Sequence, residues 1–164
     1  MSGESHFVFG RRYRLHVAAG EGAATVRLRS HSRLELRIRP GASVAQKDRA
    51  LQAWYRERLK ERVPPLLAKW QPVLGVEAAE WGIKRMKTHW GTCNTDARRI
   101  WLNLELAKKA PGSLEYILVH ELVHLLERNH TERFVALMDR YLPHWRHLRE
   151  ELNSAPLAHE TWSY

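Results

Sequence analysis

Two histidines and a glutamate in the order His-Glu-x-x-His are the residues of this chain best suited to chemistry. They are His120, Glu121 and His124, and a further histidine, His130, stands ten positions after the first. Positions i and i+4 of an α-helix lie on one face, so His120 and His124 can bind one metal ion together. Glu121 lies beside the pair, where its carboxylate can act on a metal-bound water.

The third histidine requires a turn in the chain. A straight helix would carry His130 about 15 Å along its axis from His120, too far to reach the same ion. We expect the turn at Glu127-Arg128-Asn129, where Asn129 is able to adopt the left-handed conformation. Three neutral imidazoles with a fourth position open are typical of a catalytic zinc site rather than a closed structural one.

The residues around the motif predict an amphipathic helix. At about 100° per residue, one sector carries the motif residues and the opposite side is apolar. The first sector holds Ile117, His120, Glu121 and His124, and the second holds Leu118, Val119, Leu122, Val123, Leu125 and Leu126. Pro111-Gly112-Ser113 predicts the N-cap of this helix. The alternative interpretation is a buried helix that carries two histidines and a glutamate without a metal.

Length and composition predict one intracellular domain. The chain has 164 residues, of which 44% are hydrophobic, enough for a sizeable core. We expect residues 1–164 to form a single domain with its core at about 7–153 and a tail at 154–164. No stretch approaches the roughly 20 apolar residues of a membrane span, and the N-terminus lacks the apolar run of a secretory signal. A single cysteine fits a reducing cytosol, so we expect a cytoplasmic protein of undetermined oligomeric state.

The positive charge of the chain is concentrated in its first half. Residues 1–70 contain 15 lysines and arginines against 6 acidic residues, whereas residues 71–164 contain 12 of each. The net charge of +9 therefore belongs to the half that precedes the motif. Such an asymmetry suggests an anionic partner such as nucleic acid. A solvated basic surface is the alternative.

Alternating apolar and polar residues predict three N-terminal strands at about 7–17, 25–29 and 33–39. Their short connections predict an antiparallel meander with an aliphatic inner face and an outer face of arginine. Candidate DNA contacts on that outer face are Arg27, Arg29, Arg33, Arg37 and Arg39.

The remaining elements are predicted from helical spacing and turn residues. We expect a helix at 44–62, a break at Pro64-Pro65, and a short helix at 65–70. Strands at 81–89 and 99–104, with a turn at 95–97, should form a hairpin directly before the motif helix. Cys93 near this hairpin is expected to pack rather than to bind metal or act as a nucleophile. Helices should follow the motif at 131–141 and 143–153.

Three blocks of sequence are similar to the YgjP-like metallopeptidases. They are Met86-Lys87-Thr88-His89-Trp90-Gly91-Thr92-Cys93, Ile100-Trp101-Leu102-Asn103, and the motif with its continuation His130-Thr131-Glu132-Arg133-Phe134. The blocks stand in the expected order, and the resemblance extends over about 13–153. At His89 and Thr92 the family more usually has Arg and Ser.

This resemblance implies a zincin fold with Zn²⁺ on His120, His124 and His130, and with Glu121 as catalytic base. It also implies distant similarity to the Wss-type and SprT-like proteases, which act on DNA-bound proteins. The fold class we expect is α+β: a single zincin-like domain of N-terminal antiparallel strands and a hairpin, packed with helices that include the motif helix.

The predicted function is zinc-dependent hydrolysis of peptide bonds. Zinc would activate a water and polarise the scissile carbonyl, and Glu121 would move the proton to the leaving amine. An exposed strand of the 81–104 hairpin could hold an extended protein or peptide substrate by strand addition. Candidate oxyanion or substrate contacts are His89, Tyr116, Tyr141 and His144. The alternative is a nucleic-acid-associated binding module whose zinc site is structural or vestigial; the two are compatible if the enzyme cleaves DNA-bound proteins.

Overall fold

A computed structural model describes residues 2–154 as two small sheets, four α-helices and one 3₁₀ helix. The strands are β1 (Ser5–Val8), β2 (Arg11–Ala19), β3 (Thr25–Leu28), β4 (Arg33–Ile38), β5 (Glu80–Lys84), β6 (Gly91–Asn94) and β7 (Arg99–Asn103). The helices are α1 (Val44–Leu74), the 3₁₀ helix (Leu104–Lys108), α2 (Pro111–Val123), α3 (Glu132–Tyr141) and α4 (Trp145–Asn153). The α+β class is confirmed. Apart from Ser154, the predicted tail lies outside the described residues.

The first sheet has the strand order β1-β2-β4-β3, so the predicted antiparallel meander is wrong. β2 pairs with β4 in parallel, with Leu15 opposite Leu34, while β3 pairs with the other side of β4 in antiparallel. β4 lies between β2 and β3, so it has a neighbouring strand on each side. This central position suits its apolar face, on which Leu34 and Leu36 are fully buried. β3 lies at the edge, where Leu28 remains 42% exposed.

The predicted strand at 7–17 is two strands joined by a tight turn. Phe9 and Gly10 both have positive φ, 46° and 81°, which reverses the chain between β1 and β2. The turn is tied to the 3₁₀ helix, because the Phe9 N–H donates to the Ala107 carbonyl at 2.8 Å. At Gly10 a Cβ atom would lie 3.0 Å from the Cα of Ala110, so the close approach requires glycine.

Helix α1 runs unbroken through the proline pair, so the predicted break and the separate short helix are wrong. Pro64 and Pro65 are exposed, and so are Lys60 and Glu61, whose carbonyls lose their helical donors. Water can therefore satisfy those carbonyls, and the continuous buried face stabilises the helix on both sides. That face consists of Leu51, Trp54, Tyr55, Leu59, Val63, Leu67, Trp70 and Leu74.

The second sheet has the order β5-β7-β6. The predicted strand at 81–89 ends at Lys84 and is parallel to β7, so the expected hairpin between 81–89 and 99–104 is wrong. The hairpin is formed instead by β6 and β7 around the turn at 95–98. β6 is thereby an edge strand, and it lies against α2.

Helix α2 is buried on nearly every side, since all of its residues from Ser113 onward except Glu115 are buried. The helix face predicted to carry the chemistry is therefore buried as well as the apolar face, since His120 and Glu121 are among the buried residues. The expected N-cap is also displaced: Ala110 occupies the cap position and Pro111 begins the helix. Both helices predicted after the motif are confirmed as α3 and α4. Within residues 2–154, no helix has the length and apolarity of a membrane span.

Candidate metal centre

The end of α2 and the start of α3 bring the third histidine back toward the first two. α2 ends at Val123, His124 is its C-cap, and the chain bends at residues 128–129 before α3 begins at Glu132. The position predicted for the turn, residues 127–129, is therefore confirmed. Asn129 does not use the left-handed conformation that it could adopt, because Phe9 and Arg98 are the non-glycine residues with positive φ in the described chain.

The Nε2 atoms of the three histidines form a compact triangle. His124 Nε2 lies 3.3 Å from His120 Nε2, and His130 Nε2 lies 3.2 Å from His120 Nε2 and 3.0 Å from His124 Nε2. Two nitrogens bound at about 2.0–2.1 Å to one tetrahedral ion would be separated by about 3.3 Å. The triangle therefore fits one small ion with three imidazole ligands, and among the described residues these histidines form a group that could hold a metal ion.

The surroundings of His120 and His124 favour the neutral form of these two imidazoles and orient the ring of His124. Burial, with the neighbouring His124 and His130, lowers the pKa of His120 to about 2, and burial also holds the pKa of His124 below its usual value. His124 Nδ1 lies 3.2 Å from the Glu127 carbonyl, so its N–H can donate there while Nε2 faces the other rings. Neutral imidazoles oriented in this way are what a metal ion requires.

Phe134 on α3 packs against all three imidazoles. Its ring centroid lies 4.9 Å from that of His120, 4.6 Å from that of His124 and 4.9 Å from that of His130. It is buried, so it forms an apolar wall that limits the rotation of the ligand rings. The sequence analysis predicted no role for Phe134 in the site. The feature that could have indicated one is an aromatic residue four positions after His130.

Glu121 is 2% exposed and lies beneath the edge strand β6. Burial raises the pKa of its carboxyl group to about 8. Its Oε2 atom has no hydrogen-bond partner among residues 2–154, which suits a carboxylate beside a cation and its water. A Cβ atom on Gly91 would lie 3.0 Å from Oε2, so the glycine leaves the room that the carboxylate occupies.

An open cleft runs along β6 and reaches Glu121 and His124. Its lining residues include His89, Thr92, Cys93, Asn94, Trp101, Arg128 and Asn129. Cys93 packs partly against the core, as predicted, and burial with the charge of Glu121 raises the pKa of its thiol to about 12. The thiol is therefore protonated at neutral pH.

The four candidate contacts occupy different places. His89 lines the cleft. Tyr116 is fully buried with its ring edge-on to His120 at 6.0 Å between centroids, and burial raises the pKa of its hydroxyl group. Tyr141 is the last residue of α3 and His144 is the N-cap of α4, and neither belongs to the cleft lining.

Asn103 holds the segment that carries His89. Its buried Nδ2 donates to the carbonyls of Met86 at 2.9 Å and His89 at 2.8 Å, and its Oδ1 accepts from the Glu105 N–H at 3.0 Å. These bonds draw the chain out of the sheet between β5 and β6. No role was predicted for Asn103. The feature that could have indicated one is an amide residue directly after the apolar residues Ile100-Trp101-Leu102.

The predicted arginines lie away from this cleft. Arg27 and Arg37 alternate with inward apolar residues of β3 and β4, Arg33 begins β4, and Arg29 follows β3. Arg39 stands beyond the end of β4. None of the five lines the cleft beside Glu121.

A helical His-Glu-x-x-His pair, completed by a third histidine beyond a turn and placed beside a sheet edge, is the arrangement of a metallopeptidase. The family model described as YgjP-like, metallopeptidase domain, matches residues 1–155, and the chain belongs to this family. The resemblance predicted from the three blocks is thus confirmed.

One solved structure supports the fold independently. The crystal structure of the metallopeptidase zymogen abylysin from Pyrococcus abyssi is similar with a TM-score of 0.50 and 22% identity. The similarity covers 54% of this chain and 89% of that chain. No curated protein matches the chain.

Proposed function

We propose that this chain is a zinc-dependent peptidase in which His120, His124 and His130 hold the ion. The observation that carries the proposal is the Nε2 triangle, with sides of 3.0–3.3 Å. Three neutral imidazoles in tetrahedral geometry suit zinc better than the hard oxygen-seeking cations. They also leave the fourth position for water, as in catalytic rather than structural zinc sites.

The chain supplies the proton transfers. When bound, zinc would lower the pKa of a ligated water and polarise the scissile carbonyl. Glu121, buried next to His120, accepts the proton of the attacking water and donates it to the leaving amine. Glu121 is 2% exposed beneath β6, so little of its carboxyl group is open to bulk water.

The substrate is an extended peptide bound along β6. The outer side of this edge strand has no partner strand in the second sheet, and the cleft follows it to Glu121. Main-chain groups of a peptide can therefore add to Gly91–Asn94 as a further strand. Of the four candidate contacts, His89 is the one in the cleft lining, so it is the best donor to a substrate carbonyl oxygen.

Replacement of the general base tests this function. We expect Glu121→Gln to retain zinc and fold but to lose hydrolysis by about 100-fold or more, because the amide accepts no proton at neutral pH. Glu132→Gln, an exposed glutamate at the start of α3, should retain full activity. Zinc content is measured by elemental analysis, and cleavage with a peptide library and mass spectrometry.

Two outcomes would contradict the proposal. Equal cleavage by the Glu121→Gln variant and the wild type would remove Glu121 from the chemistry. A wild type that binds zinc without cleaving any library peptide would favour the binding module with a structural zinc site.

A further inference from the structure

The outer face of the first sheet is a lattice of arginines created by strand pairing. Arg14 on β2 lies directly opposite Arg33 on β4, and the Arg29 N–H donates to the Arg33 carbonyl at 2.9 Å. One row across three chain segments therefore presents three guanidinium groups. The exposed arginines of this face, which we call the arginine face, are Arg12, Arg14, Arg27, Arg29, Arg33 and Arg37.

Acidic side chains do not neutralise this face. Among the outward positions of β1–β4, Glu35 is the acidic residue. Its carboxylate oxygens lie 3.4 Å from Arg29 Nε and 3.8 Å from Arg37 Nε. One carboxylate against six guanidinium groups leaves an excess of positive charge on this face.

An exposed aromatic ring lies on the same face. Phe7 is 48% exposed and is paired with Arg12 across β1 and β2. The Arg12 Nε donates to Ser5 Oγ at 2.8 Å, which places Ser5, and with it Phe7, on the arginine side of the sheet. Burial of Val8 on the opposite side leaves the phenyl ring of Phe7 facing outward.

A shallow depression lies beside these residues. Its lining includes Ser2, Gly3, Arg14, His16, Ser32 and Arg33. Two guanidinium groups and two hydroxyl groups around one depression offer the donors that bind a phosphate group. The face therefore combines an anion-binding depression, a lattice of cations and a ring available for stacking.

We propose that the arginine face binds single-stranded nucleic acid, with guanidinium groups on the phosphates and an unpaired base stacked on Phe7. Stacking of bases on exposed aromatic rings beside a basic groove is how proteins bind single strands without sequence preference. A paired base is not available to a ring on a flat sheet, which favours single strands over duplex. An acidic peptide would satisfy the arginines but leaves the ring of Phe7 without a partner.

Charge reversal with a matched control tests the phosphate contacts. We expect Arg14→Glu/Arg33→Glu to weaken binding of a labelled single-stranded oligonucleotide by at least about tenfold and to reduce the salt slope by about 1.4, or about 0.7 per lost phosphate contact. Arg49→Glu/Arg56→Glu makes the same change of charge at exposed positions of α1. It should alter affinity much less, as measured by fluorescence anisotropy at two salt concentrations.

Substitution of the ring separates stacking from charge. Phe7→Ala should weaken single-strand binding by about tenfold, whereas Phe7→Tyr should retain it. Both variants should bind zinc as the wild type does, because no residue of the face touches the three histidines. Equal loss in the two double variants, equal affinity for duplex and single strand, or displacement of the oligonucleotide by polyglutamate at matched charge would each overturn the proposal.

Discussion

Gly91 decides where the buried carboxylate of Glu121 can lie. A Cβ atom at this position would stand 2.8 Å from Ile117 Cγ2, where something must shift, and 3.0 Å from Glu121 Oε2, which is a tight contact. Ile117 is fully buried on α2 and has little room to shift, so we expect the more flexible side chain of Glu121 to be displaced. The position of Glu121, the proposed general base, thus depends on the absence of a side chain at Gly91 in β6.

We therefore expect Gly91→Ala to lower kcat for peptide cleavage by about 10- to 100-fold with little change in KM, because small displacements of catalytic groups cost rates of this order. Zinc content should remain unchanged. Gly20→Ala, where the nearest atom is the Arg37 Cβ at 3.4 Å, is the matched control and should keep full activity. A normal kcat for Gly91→Ala would show that the added methyl group does not displace Glu121. Thermal unfolding checks that the variant remains folded.

At the scale of the elements, Glu115 joins the motif helix to the long helix α1. Its Oε2 accepts from Lys69 Nζ and from Trp70 Nε1, each at 2.9 Å. Burial alone would raise the pKa of Glu115, but the hydrogen bonds from Lys69 and Trp70 outweigh it and hold the pKa below its usual value. The ionised carboxylate therefore stabilises the contact between α1 and α2.

Because the folded-state pKa of Glu115 is lowered, its stabilisation is present above the unfolded value of about 4.3 and is lost as the pH falls through the folded value. We expect Glu115→Gln to lower the free energy of unfolding by about 1 kcal/mol at pH 7, a value reduced for partial exposure. The gap from the wild type should narrow as the pH falls below about 4. Urea unfolding at pH 7 and at a pH below about 4 measures this difference in the free energy of unfolding. The control is Glu57→Gln, which removes an exposed partner of Lys60 and should change stability much less. A gap that widened in acid would contradict the ionic contact.

At the scale of the whole molecule, the proposed ion joins two helices that otherwise meet through few residues. His120 and His124 belong to α2 and its C-cap, whereas His130 lies just before α3. From α3 itself, Phe134 contacts all three histidines. A metal ion bound in the folded state and not in the unfolded chain should therefore stabilise the whole domain.

We expect free zinc at 100 times its dissociation constant to raise the free energy of unfolding by about 2.7 kcal/mol, which corresponds to an increase in Tm of about 5–10 °C. Differential scanning calorimetry with zinc and with a chelator measures the shift. His130→Ala should remove most of this response, while His31→Ala, an exposed histidine in the β3–β4 connection, should keep it. The same shift in His130→Ala as in the wild type would exclude His130 from the ligand set.

The three-histidine cluster of the candidate metal centre could be predicted from sequence because its signals are local. Spacing along one helix puts His120 and His124 on one face, and the distance to His130 demands a turn. Periodicity likewise predicted most strands and the helices α2, α3 and α4, since the alternation of apolar residues depends only on which side of an element is buried.

Tertiary structure decided which elements are neighbours and what surrounds the site. The parallel pairing of β2 with β4, the parallel pairing of β5 with β7 and the unbroken helix α1 all depend on burial against residues distant in sequence. A local pattern defines the face of a strand but not its partner, and it cannot show that Pro64 and Pro65 lie where water can satisfy the freed carbonyls. For the same reason Gly91, Asn103 and Phe134 gained their roles only when the fold placed them against the histidines, Glu121 and the segment that carries His89.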